Sequence, residues 1–249
     1  MSWIGKIIGG GLGMAFGGPL GAVIGATLGH TFVDSQGGVG GRVANLSRAE
    51  TRQMVFFATT FAMLGKMAKA DGRVSQEEIQ VVETFIRDRL GLTGQARDLA
   101  VKIFNEAKDN PTPFDAYARQ FGDVFAQDPQ MRTMFFQILY MLAMADGTLH
   151  PAEAALLQQA LAGLRLEQGV YDDLRGKMPA MDHHYAVLGI SAEASDDEVK
   201  RAYRRAVQEY HPDKIISKGL PEEFTKFAEE KFKEVNASYE AIKAHRAGA

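Results

Sequence analysis

The residues with the greatest capacity for chemistry are two pairs of acidic side chains and one His-Pro-Asp tripeptide. Asp71 and Glu78 recur at an offset of 75 residues as Asp146 and Glu153, and such pairs could supply oxygen ligands to divalent cations. The tripeptide occupies positions 211–213. The chain contains no cysteine, so thiol nucleophiles, zinc knuckles, iron–sulfur clusters and disulfides are excluded.

The acidic pairs also fit the starts of ordinary helices. Ser75 and Glu78 have the spacing of a capping box, and Pro151 followed by Glu153 suits the first turn of a helix. The Asp-Gly pairs before them are common in turns. We interpret these residues as helix starts and predict no catalytic residue, no metal site and no cofactor; two symmetric cation sites are the alternative.

Length, composition and net charge limit the classes of protein to which the chain can belong. The chain has 249 residues and a formal net charge of -3, which argues against nucleic acid as a partner. Its length allows one large domain or two small ones. The charge is unevenly distributed, because Lys6 carries the one fixed side-chain charge among the first 33 residues.

The N-terminal segment is predicted to span a membrane. Ile4 to Gly29 is an apolar or small-residue run of 26 residues, and a bilayer core requires about 20 in a helix. Pro19 could kink this helix, which membrane helices tolerate. A glycine at every fourth position forms a ridge that a second helix can approach closely, which predicts a homodimer. These residues are Gly5, Gly9, Gly13, Gly17, Gly21, Gly25 and Gly29.

Three other interpretations of this segment are weaker. A signal peptide has a shorter apolar stretch and a clear cleavage site, a flexible linker does not keep glycine in step with large apolar residues, and a surface-lying helix needs a charged face. Lys6 lies near the start of the span, whereas Arg42, Arg48 and Arg52 follow its end. This bias predicts a periplasmic N-terminus and cytoplasmic C-terminal domains at a bacterial inner membrane.

The middle of the chain is predicted to be an internally repeated helical bundle. Apolar residues recur at helical spacing between residues 48 and 178, and strand alternation is missing. Each half reads as an apolar helix, an Asp-Gly turn and a second amphipathic helix, and residues 91–130 join the two hairpins. A stripe of large apolar residues is assigned to the core: Met54, Phe57, Phe61, Phe135, Phe136 and Met141. This region resembles the TerB-like family of tellurite-resistance proteins, for which metal binding has been suggested. Two Asp-Gly turns do not carry that property over, and we interpret the bundle as a platform for protein docking.

The C-terminal residues 183–249 are predicted to form three helices. The first ends at Gly189, and the second starts after Ser195 with three acidic residues in its first turn. That second helix ends at His211, because the residue before a proline avoids helical dihedrals. Its apolar face opposes a basic face (Lys200, Arg201, Arg204 and Arg205). A third helix from Glu222 to about Ala244 packs antiparallel to it.

These three helices resemble the J domain of DnaJ-type co-chaperones throughout. The similarity lies in YAVLGI, DDEVKRAYRRAVQEYHPDK and EEKFKEVNASYEAI. The resemblance implies stimulation of ATP hydrolysis by a DnaK-type heat-shock chaperone. It assigns contact with that chaperone to the loop residues His211, Pro212 and Asp213 and to the basic face, which would bind an acidic surface of the ATPase.

The chain departs from the J-domain pattern in several respects. His183 and His184 stand where many J domains have Asp-Tyr. No Gly/Phe-rich segment follows the third helix, and the missing cysteines exclude the cysteine-rich zinc domain of larger DnaJ proteins. The general client-holding regions of that family are therefore not predicted here.

The complete prediction is an all-α, membrane-anchored DnaJ-like co-chaperone that is no enzyme itself. The chain is predicted to contain, in this order, a transmembrane helix (1–33), a flexible linker (34–47), a TerB-like bundle (48–178) and a J domain (183–249). Its predicted partners are a DnaK-type ATPase, the lipid bilayer and a second copy of the chain. The alternatives are a tethered adaptor and a metal-responsive stress protein that acts through the bundle.

Overall fold

A computed structural model describes residues 17–32, 46–70, 76–145, 147–176 and 180–247, and every regular element in these ranges is helical. The predicted all-α class is confirmed. The chain divides into two compact units, Met1–Leu166 and Glu167–Ala249. Across the described ranges, none of the helices combines the length and the apolar character that crossing a bilayer requires.

The first unit contains seven described α-helices. They are α1 (Gly18–Phe32), α2 (Arg48–Met67), α3 (Gln76–Thr84), α4 (Gly94–Asp109), α5 (Phe114–Val124), α6 (Pro129–Ala143) and α7 (Pro151–Gly163). A π-helical turn, Phe85–Arg89, extends α3. The second predicted hairpin is present as α6 and α7, which pack on each other, and α2 and α3 occupy the chain positions of the first. The connection between them is itself helical and supplies α4 and α5 to the core.

Helix α2 is the central element of this unit. It begins at a capping box, in which the Glu50 N–H donates to the Ser47 hydroxyl and the Ser47 N–H donates to the Glu50 carboxylate. Most of its side chains from Met54 to Met67 are buried, because α4, α5 and α6 all pack against it. A helix that is apolar on every side is expected at such a position.

Aromatic rings fill the space around α2. Phe56 makes edge contacts with Phe121, Phe125 and Phe135 at centroid distances of 5.5, 6.3 and 5.4 Å, an arrangement that contributes beyond simple burial. The stripe predicted from the sequence is buried in five of its six positions: Met54, Phe57, Phe61, Phe135 and Phe136. Met141 is the exception: it is half-buried, and its sulfur accepts a hydrogen bond from the Arg89 guanidinium.

The packing of α2 on α4 depends on one glycine. A Cβ atom at Gly65 would lie 2.4 Å from the backbone oxygen of Phe104, closer than two such atoms can approach. The missing side chain therefore sets the distance between the two helix axes.

The acidic residues of the repeat are described in part. The His150 N–H donates to the Glu153 carboxylate at 3.1 Å, and Pro151 occupies the first turn of α7, so the helix-start interpretation is confirmed there. Asp71, Ser75 and Asp146 lie outside the described residues. Within the described ranges, no group of three or more His, Cys, Asp or Glu side chains could hold a metal ion.

The N-terminal segment, for which the sequence predicts a transmembrane helix, is helical in its described part. Its described part, α1, packs on α4, α2 and α5 of the same unit, and Leu20, Val23 and Ile24 are buried there. Apolar side chains are removed from water equally well by protein and by lipid, so the sequence pattern alone does not separate these environments. Pro19 lies in the first turn, where its missing N–H leaves no helical bond unmade, and no kink results.

The second unit contains the five remaining α-helices. They are α8 (Gln168–Leu174), α9 (Ala180–Leu188), α10 (Asp196–Glu209), α11 (Pro212–Ser217) and α12 (Thr225–Ala247), and a 3-10 turn (Glu222–Phe224) precedes α12. α9 and α10 both pack on α12. Their shared core consists of Tyr185, Val187, Leu188, Val199, Ala202, Ala206, Val235 and Ile242. The predicted three helices are present, and α11 is an additional short helix.

Candidate functional site

The His-Pro-Asp tripeptide lies at the junction of α10 and α11. α10 ends at Glu209, and His211 has a ψ of 128°, outside the helical range. Pro212 then starts α11 at its first position, where proline is favoured. The sequence predicted an exposed turn here; the exposure is confirmed, and the turn continues directly into a six-residue helix.

The side chains of the tripeptide point to solvent. His211 is 52% exposed and Asp213 is 91% exposed, and His211 Nδ1 lies 3.9 Å from the nearer Asp213 oxygen. The imidazole ring stands edge-on to Phe232 of α12 at a centroid distance of 5.9 Å. One face of His211 is thus fixed by α12, while its polar atoms remain available to another molecule.

The tripeptide follows a partly buried tyrosine. Burial raises the pKa of Tyr210, which precedes His211 directly, far above its ordinary value. The Lys231 ammonium lies 5.7 Å from the Tyr210 ring and forms a 2.8 Å ion pair with Glu234. These contacts hold the C-terminal end of α10 against α12 and so fix where the tripeptide emerges.

The basic face of α10 is exposed along its length. Lys200, Arg201, Arg204 and Arg205 are all exposed. In the part of the chain that the structure describes, the side chains of Lys200, Arg201 and Arg205 form neither a hydrogen bond nor an ion pair, and Arg204 bonds only the Lys200 carbonyl. Four cations that are not neutralised within the domain can attract an acidic surface.

The opposite face of α10 fixes the orientation of these cations. Tyr203 stacks on Tyr239 of α12 at 4.0 Å, and its hydroxyl donates to Asn236 Oδ1 at 2.9 Å. At the start of α10, Ser195 and Glu198 form a capping box, and the hydrogen bond from the Ser195 N–H is the main cause that lowers the pKa of Glu198. Position and direction of the basic face are therefore set by packing and capping together.

Arg246 is a structural residue that the sequence analysis missed. Its guanidinium donates to the Tyr185 hydroxyl (3.0 Å), to Asp196 (2.7 Å) and to the carbonyl of Ala194 (2.6 Å). It joins the last turn of α12 to α9, to the α9–α10 loop and to the start of α10. The sequence gives no signal for this role, because a single arginine in a charged helix cannot be distinguished by sequence from one that is exposed to solvent.

We expect Arg246→Ala to destabilise the second unit by about 2–3 kcal/mol, because it removes a charged donor from several acceptors at once. Hydrogen–deuterium exchange of α9 and α12 measures this. Arg246→Lys is the matched control. It keeps the positive charge but lacks the planar guanidinium, so it should lose only part of the stability. Unchanged exchange in Arg246→Ala would contradict the role assigned to this network.

The two histidines at the start of the domain have specific partners. His183 Nδ1 lies 2.6 Å from Asp173 and its Nε2 lies 3.3 Å from Glu234. His184 Nδ1 lies 3.1 Å from the hydroxyl of the buried Ser238. His183 therefore connects α9 to both α8 and α12.

The glycine ridge is described only in its C-terminal half. Gly21 is buried against the first unit and Gly25 is half-buried. Gly17 precedes α1, and its carbonyl accepts a hydrogen bond from Gln120. Gly5, Gly9 and Gly13 lie outside the described residues. Gly29 belongs to α1, but its burial is not described.

Three family models match consecutive parts of this chain. Residues 1–46 match the co-chaperone DjlA transmembrane domain, residues 58–175 match the tellurite resistance protein TerB, and residues 183–247 match the DnaJ domain. The TerB and DnaJ matches agree with the resemblances drawn from the sequence. The first match supports a membrane-spanning N-terminal segment.

Curated proteins match the chain over nearly its whole length. The co-chaperone protein DjlA of Photobacterium profundum is 36% identical and covers 97% of this chain and 98% of its own length. The co-chaperone protein DjlA of Escherichia coli K12 is 31% identical over 99% of both chains. That of Shewanella oneidensis is 35% identical over 87% of this chain and 88% of its own. No solved structure matches the chain.

Proposed function

Because this chain belongs to the DjlA family of membrane-anchored bacterial co-chaperones, we propose that its J domain stimulates ATP hydrolysis by a DnaK-type chaperone and recruits that chaperone to the inner membrane. One observation carries the proposal: the exposed His-Pro-Asp tripeptide adjoins a basic helix face whose charges are not neutralised within the domain. Together they form a polar and cationic surface suited to an acidic partner.

The chain performs no bond-breaking step in this mechanism. ATP is hydrolysed in the partner, and the J domain acts by binding the hydrolysis-competent state of the chaperone more tightly than its resting state. We assign docking to Lys200, Arg201, Arg204 and Arg205. We assign the contact that distinguishes the two states to His211, Pro212 and Asp213, because their backbone is fixed by α11 while their polar atoms face solvent.

The anchoring arrangement is part of the same proposal. We place residues 1–33 in the membrane, 34–47 in a linker, 48–178 in the TerB-like domain and 183–249 in the J domain. The N-terminus is periplasmic and both folded domains are cytoplasmic, where a DnaK-type ATPase and its ATP are present. In the bilayer, the glycine ridge pairs two copies of the chain through close helix contact.

Charge reversal on α10 tests the proposed docking face. We expect Arg201→Glu combined with Arg205→Glu to raise the concentration for half-maximal ATPase stimulation about tenfold at low salt, because both charges would repel an acidic partner. The difference should shrink as salt screens the interaction. Stimulated ATP hydrolysis, titrated at two ionic strengths, measures this.

The matched control reverses two exposed lysines of α12, Lys226→Glu with Lys233→Glu. It changes the net charge of the domain equally but leaves the basic face of α10 intact. If both double variants lose stimulation to the same extent, net charge rather than the α10 face attracts the partner, and the assignment of the docking face is wrong.

A further inference from the structure

The groove on the first unit that holds α1 has the features of a binding site for an apolar helix. It is formed by α2, α4 and α5. Leu20, Val23 and Ile24 of α1 are at most 1% exposed in it. The small residue Gly21 is buried on the same face and Gly25 is half-buried, so this part of the glycine ridge contacts the protein.

The groove also satisfies the polar backbone at the start of the bound helix. The Leu20 N–H donates to Gln120 Oε1 at 3.0 Å, and Gln120 Nε2 donates to the Gly17 carbonyl at 2.7 Å. The first turn of any helix leaves backbone N–H groups unpaired. Gln120 of α5 therefore caps α1 from another helix, which is a specific contact and not only apolar burial.

The fit is incomplete in two respects. The Thr27 hydroxyl is buried and has no hydrogen-bond partner among the described residues, which weakens docking. Ala22 remains exposed, and the cleft beside Ala26 is lined by polar residues of α4 such as Lys102, Asn105 and Asp109. The described part of this mainly apolar helix is therefore exposed to water around Ala22, whereas a bilayer would cover it there.

We propose that the groove is an intramolecular receptor for residues 18–32, and that this helix exchanges between the groove and the lipid bilayer. Without a membrane, docking shelters the apolar segment from water. When a bilayer is present, the segment leaves, because lipid also covers the side that the groove leaves exposed. The anchored protein then presents an open apolar groove. This inference depends on membrane anchoring and not on stimulation of a chaperone.

The chain has no cysteine, so that a pair of introduced cysteines can be cross-linked selectively. Its one tryptophan, Trp3, serves as a fluorescence probe. The full chain carrying Ala26→Cys and Asn105→Cys, positions that line the same cleft, is treated with a short bis-maleimide. The control pair is Ala26→Cys with Gln158→Cys, an exposed position on α7. Vesicles of phosphatidylethanolamine and phosphatidylglycerol containing brominated lipid report insertion by quenching Trp3.

Without vesicles, we expect an intramolecular cross-link in the Ala26–Asn105 pair and little in the control pair. Added vesicles should suppress this cross-link as Trp3 becomes quenched. Gln120→Ala should lower the equilibrium constant for docking about fivefold, equivalent to about 1 kcal/mol of lost capping, so that fewer vesicles suppress the cross-link. Gln159→Ala, at an exposed position, should leave the vesicle dependence unchanged.

Each remaining outcome would overturn the proposal. Equal cross-linking in both cysteine pairs without vesicles would show that the helix does not occupy the groove. Cross-linking that persists while Trp3 is fully quenched would show that insertion does not empty it. A product joining two chains would assign the groove to the helix of a second copy.

Discussion

Replacement of His211 by glutamine is expected to abolish stimulation of a DnaK-type ATPase and to leave the fold unchanged. The imidazole is half-exposed and touches its own domain mainly at the edge of Phe232, so little stability depends on it, within about 0.5 kcal/mol. Its polar atoms are the ones available to a partner. The measurement is stimulated ATP hydrolysis together with thermal unfolding of the same preparation.

The control for this variant is His245→Gln, the same substitution at an exposed position of α12. It should stimulate as the unmodified chain does. Retained stimulation by His211→Gln would remove the tripeptide from the mechanism. A large fall in the unfolding temperature would instead assign it a structural role.

Replacement of Gly65 by valine is expected to destabilise the first unit by about 3 kcal/mol, near the upper end of the usual cost of overpacking. The added Cβ would lie 2.4 Å from the Phe104 carbonyl oxygen, and this oxygen belongs to a helix backbone that cannot move alone. α2 and α4 would have to separate. Hydrogen–deuterium exchange of both helices measures the effect.

The matched control is Gly169→Val in α8, where an added Cβ meets no atom within 4 Å. Valine has a slightly better helix propensity than glycine, so the control should cost nothing. A similar loss of stability in both variants would mean that the substitution itself, and not the close contact of α2 with α4, is responsible.

The J domain could be predicted almost completely from its sequence because its signals are local. Ser195 and Glu198 cap α10, Gly189 with a φ of +67° ends α9, and Pro212 ends α10, each through backbone chemistry within a few residues. The basic face follows from helical periodicity alone. α11 was missed because it has six residues, too few to show a period.

The features that the sequence did not predict depend on tertiary contacts. Apolar periodicity in residues 18–32 fits lipid and protein equally, so the docking of α1 against Gln120 has no local signature. The contacts of Arg246 join residues about 50 to 60 positions apart. The sequence indicates only a connection at residues 91–130, although α4 and α5 supply Phe104 and Phe121 to the core.

The proposed co-chaperone function is tested most directly by single-turnover hydrolysis of ATP by a DnaK-type chaperone mixed with the full chain in lipid vesicles. We predict a hydrolysis rate that rises with the concentration of the chain, reaches a plateau, and falls to the rate of the chaperone alone when the chain carries His211→Gln. A rate equal to that of the chaperone alone at every concentration of the unmodified chain would contradict it. The exposed tripeptide and basic face would then serve binding without stimulation.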